Sequence, residues 1–195
     1  MSIHFIDLIE LLLQDAAEEL REALPAENVK TPADLVQELR RLGWPLGILS
    51  PVGMLHLATR LREDGEKELA QEVTTHALEA YSQPPEFINE QGHLHYAFKK
   101  YDQALDWFQK TINDDAANNA VRSDAFTGAG AALRRLRRFD EAAEMFQQAL
   151  DVADGIPSAT LLRERGWLAF YQEYYEQAFA SFRQEIGRAS CRERV

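Results

Sequence analysis

At 195 residues the chain is long enough for one substantial core or a row of stacked small ones. Its formal net charge of −11 disfavours non-specific binding to nucleic acid or anionic membrane. The best apolar run, Phe5 to Leu13, is broken by Asp7 and Glu10 and falls short of the ~20 residues a bilayer span needs. Acidic residues sit where a secretory signal would carry its basic region, so the expected compartment is the cytoplasm. The single cysteine, Cys191, permits no internal disulfide.

Taken in order, Phe5, Leu8, Ile9, Leu12, Leu13, Ala16 and Leu20 form an i, i+3, i+4 stripe that predicts an amphipathic helix over residues 5–23. It reads as a cap over the exposed end of a helical stack, with self-association or partner docking as its functional alternative. Thr31-Pro32 opens a second helix, with a hydroxyl at the N-cap and proline at the first helical position. Leu35, Val36, Leu39 and Leu42 form its apolar face, and Gly43 suits its end. The connector GWPLGILS, residues 43–50, holds Trp44 as a buried plug or a partner anchor. Ser50-Pro51 then starts a helix with Met54, Leu57, Ala58 and Leu61 on one face. Gly65 turns the chain into a second helix running from about Lys67 to Tyr81.

From here the chain repeats itself. Gly130 is followed by Ala142, Phe146 and Ala149. Gly92, Ala104 and Phe108 keep the same internal spacing upstream, and Gly166, Ala178 and Phe182 keep it downstream. An aromatic–acidic pair precedes each alanine: Tyr101-Asp102, Phe139-Asp140 and Tyr175-Glu176. A fainter copy has Ala58, Ala70 and Ala77 in register. The alanines are 34, 38 and 36 residues apart, so spacing is fixed within units and elastic between them. That pattern predicts helical hairpins joined by loops of varying length. Small residues let the paired helices approach, and the phenylalanine one turn on fills the gap.

On these residues, together with Ile88, Phe126, Leu133, Leu162 and the aromatics Tyr101, Phe139 and Tyr175, the stretch 51–184 resembles the tetratricopeptide repeat family. It departs from the family in having Gln91 and Ala129 at large first-helix positions, and no closing proline after Ile112 or Leu150. The resemblance implies an all-α fold: a right-handed α-solenoid of helix-turn-helix repeats behind N-terminal cap helices. Its parts would be a cap over 1–50 and repeats over 51–84, 85–120, 121–157 and 158–184. It further implies a scaffold whose concave groove, lined by the first helix of each hairpin, receives a peptide or helix of a partner protein. By register the groove positions are Asn89, His93 and Tyr96, then Thr127, Ala131 and Arg134, then Arg163 and Trp167. Gly92, Ala104, Phe108, Gly130, Ala142, Phe146, Ala149, Gly166, Ala178 and Phe182 are assigned to packing. The family's basic clamp for C-terminal carboxylates is not reproduced, because Asn89, Glu90 and His93 stand where it would begin. Repeats of this kind also precede catalytic domains, so the alternative is the repeat region of an enzyme such as a glycosyltransferase acting on proteins.

Catalytic chemistry, cofactors and metals are not expected from the residues themselves. Gly128-Ala129-Gly130 lies inside a predicted helix and lacks the Lys-Ser/Thr of a phosphate loop. His93 and His95 fall on different helix faces, which suits no shared metal. Glu141 and Glu144 read as a solvated face. Arg134, Arg135, Arg137 and Arg138 are the sharpest charge feature. They either form a phosphate or carboxylate site or solvate the turn against the negative end of the preceding helix. The last eleven residues, EIGRASCRERV, resemble a translated sequencing adapter. The expectation is a non-native tail over 185–195, with the last hairpin cut within its second helix.

Overall fold

The computed structural model describes residues 29–43, 45–153 and 155–192, with side chains as far as Ile186. The expected helix over 5–23 and the plug residue Trp44 lie outside the described residues. Nine α-helices are described: α1 Pro32–Arg41, α2 Pro51–Glu63, α3 Lys67–Ala80, α4 Pro85–Ala97, α5 Tyr101–Ile112, α6 Asn119–Arg135, α7 Phe139–Val152, α8 Ala159–Tyr171 and α9 Tyr175–Arg192. A short 3-10 turn at Leu46–Ile48 bridges α1 and α2. The last helix runs on through Gly187.

Four of the helices that follow a loop, α1, α2, α6 and α8, are opened by side-chain caps, whereas α4 opens on Pro84-Pro85 without one. Thr31 and Asp34 form a reciprocal capping box at α1. Ser50 Oγ accepts from the Gly53 amide at 3.1 Å, and Ser158 Oγ from that of Leu161 at 3.1 Å. Asn118 Oδ1 does the same for Val121 at 3.0 Å. Asp34 accepts from the Lys30 amide first of all, and is further bonded to the side chain and the amide of Thr31. Together with the nearby Lys30 charge, these bonds outweigh the desolvation of the group and hold its carboxyl below the ordinary aspartate value. A depressed folded-state pKa gives stability that is present above the unfolded value and lost as pH falls through the folded one. Asp34→Asn is therefore expected to flatten the acid limb of the stability–pH curve below the ordinary aspartate range, read by urea melts at stepped pH, and to leave the neutral-to-basic profile unchanged in shape.

The tight turns within hairpins use another device. Gly65, Lys99, Arg137 and Glu173 all have positive φ (91, 62, 64 and 64°). They are separated by the same 34, 38 and 36 residues as the alanines. At three of these turns the amide after the left-handed residue donates five residues back: Glu66 to Leu61, Arg138 to Leu133 and Tyr174 to Ala169. This arrangement closes the first helix and launches the second without a side-chain cap. Only the first turn has the glycine that suits it. Arg137→Gly relieves a left-handed strain of about 1–2 kcal/mol while adding about 0.5–1 kcal/mol of unfolded-state entropy. It is expected to raise stability slightly, by a fraction of a kcal/mol to about 1 kcal/mol in denaturant titration.

The described chain divides into two compact units at Phe98/Lys99. In the first, α2 and α3 form a hairpin and α4 packs on both. Its core joins Leu35 and Leu39 of α1, Met54, Leu57 and Leu61 of α2, Val73 of α3, and Phe87 and Leu94 of α4. Tyr81 stacks on Phe87 and donates its hydroxyl to the Leu49 carbonyl at 3.0 Å, which ties the connector down.

In the second unit α5 packs on α6, α6 and α7 form a hairpin, α8 lies on both, and α8 and α9 form the next hairpin. Gly130 and Gly166 are points of close approach between paired helices. A Cβ added to Gly130 would collide with the ring of Phe146, and one added to Gly166 would sit 2.6 Å from Phe182 Cε1. The structure adds a third seat, because Gly128 receives the ring of Phe108 from α5. Gly128 and Gly130 together let α6 accept a phenylalanine from each of two neighbours. Ala104, Ala142 and Ala149 are fully buried in the same seams.

Candidate functional site

Two ion pairs tie the first helix of one hairpin to the first helix of another. In the first unit, Arg62 Nε of α2 donates to Glu90 Oε1 of α4 at 2.5 Å, and Thr59 Oγ1 donates to Oε2 at 3.2 Å. In the second unit, Arg134 Nη2 of α6 donates to Glu164 Oε2 of α8 at 2.5 Å, with Nε at 3.2 Å. The positions correspond. Each arginine lies four residues after the small seam residue of its helix (Ala58 or Gly130), and each glutamate two before the next one (Gly92 or Gly166). The incoming helices share a stripe as well: Phe87, Glu90, Leu94 on α4 and Leu161, Glu164, Leu168 on α8. Apolar residues at i and i+7 enter the core, and the glutamate at i+3 meets the arginine.

This geometry corrects the expectations for the arginine cluster. Arg134 is buried and its guanidinium is committed to Glu164, so it is not a free anion site or an open groove contact. Arg138 donates to both carboxylate oxygens of Glu141, at 2.7 and 2.5 Å. That bond raises the Arg138 pKa and lowers the Glu141 carboxyl. The guanidinium of Arg137 sits 5.8 Å from the centre of the Phe139 ring. Arg134, Arg137 and Arg138 therefore turn to separate partners and build no common site.

Of the other groove positions, Thr127 is buried and donates its hydroxyl to the Ser123 carbonyl at 2.9 Å, which explains a polar side chain inside α6. Ala131 and Asn89 are buried, while His93 and Tyr96 are half-buried. Arg163 is exposed. Trp167 is 41% exposed.

Around Trp167 the structure gathers a cluster that the register does not single out. Trp167 meets Phe170 and Phe182 edge-to-face, with centroids at 5.9 and 5.5 Å. Phe170 meets Tyr171 at 6.0 Å and Tyr175 at 5.9 Å. Tyr171 stacks on Phe139 at 6.3 Å and lies 5.7 Å below the Arg134 guanidinium. These separations are those of interacting rings. Yet Phe170, Tyr171 and Tyr175 remain 47, 51 and 58% exposed. The signal is present in the sequence as WLAFYQEYYEQAF, where aromatics recur at i, i+3, i+4, i+7 and i+8. At the equivalent positions one hairpin earlier stand Ala131, Arg134, Arg135, Arg138 and Phe139, with a single aromatic among them.

Among the described residues, no group of three or more His, Cys, Asp or Glu is placed to hold a metal, and no helix is long and apolar enough to cross a membrane.

No protein-family model matches the sequence, and no curated protein matches it either. Solved structures do match. MamA of strain AMB-1 is 19% identical, with 95% of this chain and 99% of that chain covered and a TM-score of 0.51. PilF of Pseudomonas aeruginosa is 20% identical over 92% of this chain and 75% of that one, with a TM-score of 0.59. The Cut9–Hcn1 hetero-tetramer of the APC/C contains a chain 15% identical, covering 79% of this chain but 32% of its own length, at a TM-score of 0.59. These neighbours are tetratricopeptide-repeat proteins. The all-α, tetratricopeptide-type solenoid fold expected from the resemblance is therefore the fold of this chain.

Proposed function

We propose that the protein is an interaction scaffold that receives a peptide or helix of a partner protein on the first-helix faces of its hairpins. The observation that carries this reading is the exposed ring of Trp167, with Arg163 beside it on α8. An aromatic held by its neighbours and still open to solvent loses little entropy on binding, and Trp and Arg dominate interface energetics. Trp167 is held between Phe170 and Phe182 in this way. In the second unit the groove face comprises Thr127, Ala131 and Arg134 of α6 with Arg163 and Trp167 of α8. On α4 the same register falls on Asn89, His93 and Tyr96. The buried members set the floor of such a face, and the exposed ones supply contacts. The fold supports the reading: the Cut9–Hcn1 structure is a hetero-tetramer, so the same architecture there serves a protein assembly.

Selection of a displayed random-peptide library on the full chain tests this. The expected result is a set of mutually competing peptides whose affinity falls at least about tenfold on Trp167→Ala and less on Arg163→Ala, as for a hot spot with a rim. Failure to enrich any peptide, or enriched peptides indifferent to substitutions at Trp167, Arg163 and His93 alike, would rule the groove out.

A further inference from the structure

Charge is sorted by helix in the second unit. The first helices, α6 and α8, carry five arginines against the acids Asp124 and Glu164. The second helix α7 carries Asp140, Glu141, Glu144 and Asp151 with no basic residue, and α5 carries Asp102 and Asp106 against Lys110. A chain of formal net charge −11 thus keeps an arginine surplus on the helices that bear the groove register. Packed helices lie about 8–10 Å apart, about one Debye length at physiological salt, so the exposed acids of α7 are largely screened from that face.

The surplus comes to a point at Glu164, where two guanidinium groups converge on one carboxylate. Arg134 takes Oε2 with Nη2 and Nε, at 2.5 and 3.2 Å. Arg163 Nε lies 3.9 Å from Oε1, beyond hydrogen-bond reach, and Arg163 has no other ion pair among the described residues. The trio therefore carries one net positive charge. Side-chain exposure rises from 3% at Arg134 through 12% at Glu164 to 49% at Arg163, so the unmatched charge meets solvent at Arg163. Trp167 stands one turn along α8 on the same side, about 6 Å further along the axis, and is 41% exposed.

We infer that the partner segment received on this face is acidic, and that one of its side-chain carboxylates pairs with Arg163 beside a large apolar residue seated on Trp167. This rests on the scaffold reading and fixes the chemical class of its ligand. A second carboxylate brings the trio to balance, two guanidinium groups with two carboxylates. The fork of Arg163 suits both oxygens of such a group. A lysine or arginine brought to the same place meets two cations that share one counter-charge, so the face rejects basic segments as well as attracting acidic ones. Residues 1–28 of the chain are themselves acidic, with Asp7, Glu18, Glu19 and Glu22 among them and Arg21 as the one Lys or Arg. They are the competitor to be separated from a partner.

The test takes peptides selected on the full chain from the displayed library, at physiological salt, and resynthesises them with amidated C-termini so that every carboxylate is a side chain. Peptides that depend on Trp167 are expected to carry Asp or Glu close to a large apolar residue. Replacing that acid by its amide should weaken binding about three- to fivefold on the parent chain and leave it unchanged on Arg163→Gln. On Arg163→Glu, a lysine in place of the acid should bind better than the acid itself. Because Arg163 is exposed, Arg163→Gln should melt close to the parent chain. Trp167-dependent peptides without acids, or amide replacements that cost as much on Arg163→Gln as on the parent, overturn the acidic ligand and leave the scaffold reading in place. Failure to enrich any peptide overturns both. A chain carrying Glu18→Gln, Glu19→Gln and Glu22→Gln is expected to bind the same peptides with unchanged affinity. A gain of about fivefold or more there would overturn the partner in favour of the chain's own acidic segment, held at high effective concentration.

Discussion

Glu164→Ala is expected to destabilise the protein by about 3–5 kcal/mol, because it leaves the Arg134 guanidinium buried and unpaired. The Arg134 side chain is 3% exposed and the Glu164 side chain 12%, so water can do little to replace the lost partner. The double variant Arg134→Met/Glu164→Leu should recover most of that loss, since a buried pair replaced by apolar groups of similar size is often neutral or stabilising. Urea titrations of the two single variants and the double variant measure the coupling directly. A loss below about 1 kcal/mol for Glu164→Ala, the range of exposed pairs, would mean that α8 does not hold its glutamate against α6. The corresponding pair in the first unit is held less tightly. Arg62 keeps a fifth of its side chain in solvent, and Glu90 has Thr59 as a second donor, so Arg62→Ala should cost less than Glu164→Ala.

The second large effect concerns the glycine seats. Gly130→Ala in a free helix would gain about 1 kcal/mol from propensity alone. Here the added methyl meets the ring of Phe146, and the overpacking costs about 1–3 kcal/mol, so the net change is expected to be a loss. Phe146→Ala removes a fully buried ring and costs about 3–5 kcal/mol. Combining them reverses the sign of the first: in the Phe146→Ala background, Gly130→Ala becomes stabilising by about 1 kcal/mol, because the methyl enters the vacated space and the propensity gain remains. Thermal and denaturant melts of the four proteins give the cycle. Additive losses would mean that the ring and the glycine do not meet.

The hairpins are legible in the sequence because their packing leaves a trace that repeats. Gly130 with Phe146 and Gly166 with Phe182 are close approaches that only small and aromatic residues satisfy, and the fixed interval between them carries the register. Caps are legible for the same local reason, at Thr31 and Ser50. The second role of Gly128 is not, because its partner Phe108 belongs to the preceding hairpin and the loop between them has no fixed length. The turn residues Lys99, Arg137 and Glu173 are hidden because their side chains give no hint of a left-handed backbone. At the candidate site, register alone points to Arg134 as a contact residue. Its burial depends on Glu164 thirty residues away, and that pair emerges only when the two arginine–glutamate spacings are compared. Trp167 stands out as an anchor, but the rings around it come from both helices of the hairpin and from Phe139 of the one before.

On the proposed function, a partner protein is received on the face of α8 that bears Trp167. The chain has three tryptophans, and so three indole N–H signals in a nitrogen-15 spectrum of the labelled protein. Trp107 lies on α5, with the Lys110 ammonium 3.9 Å from the centre of its ring, and provides an internal reference away from that face. On titration with a peptide selected from the displayed library, the indole signal of Trp167 is expected to shift saturably while that of Trp107 stays in place. A peptide that binds and moves the Trp107 signal while leaving Trp167 unmoved would contradict the account.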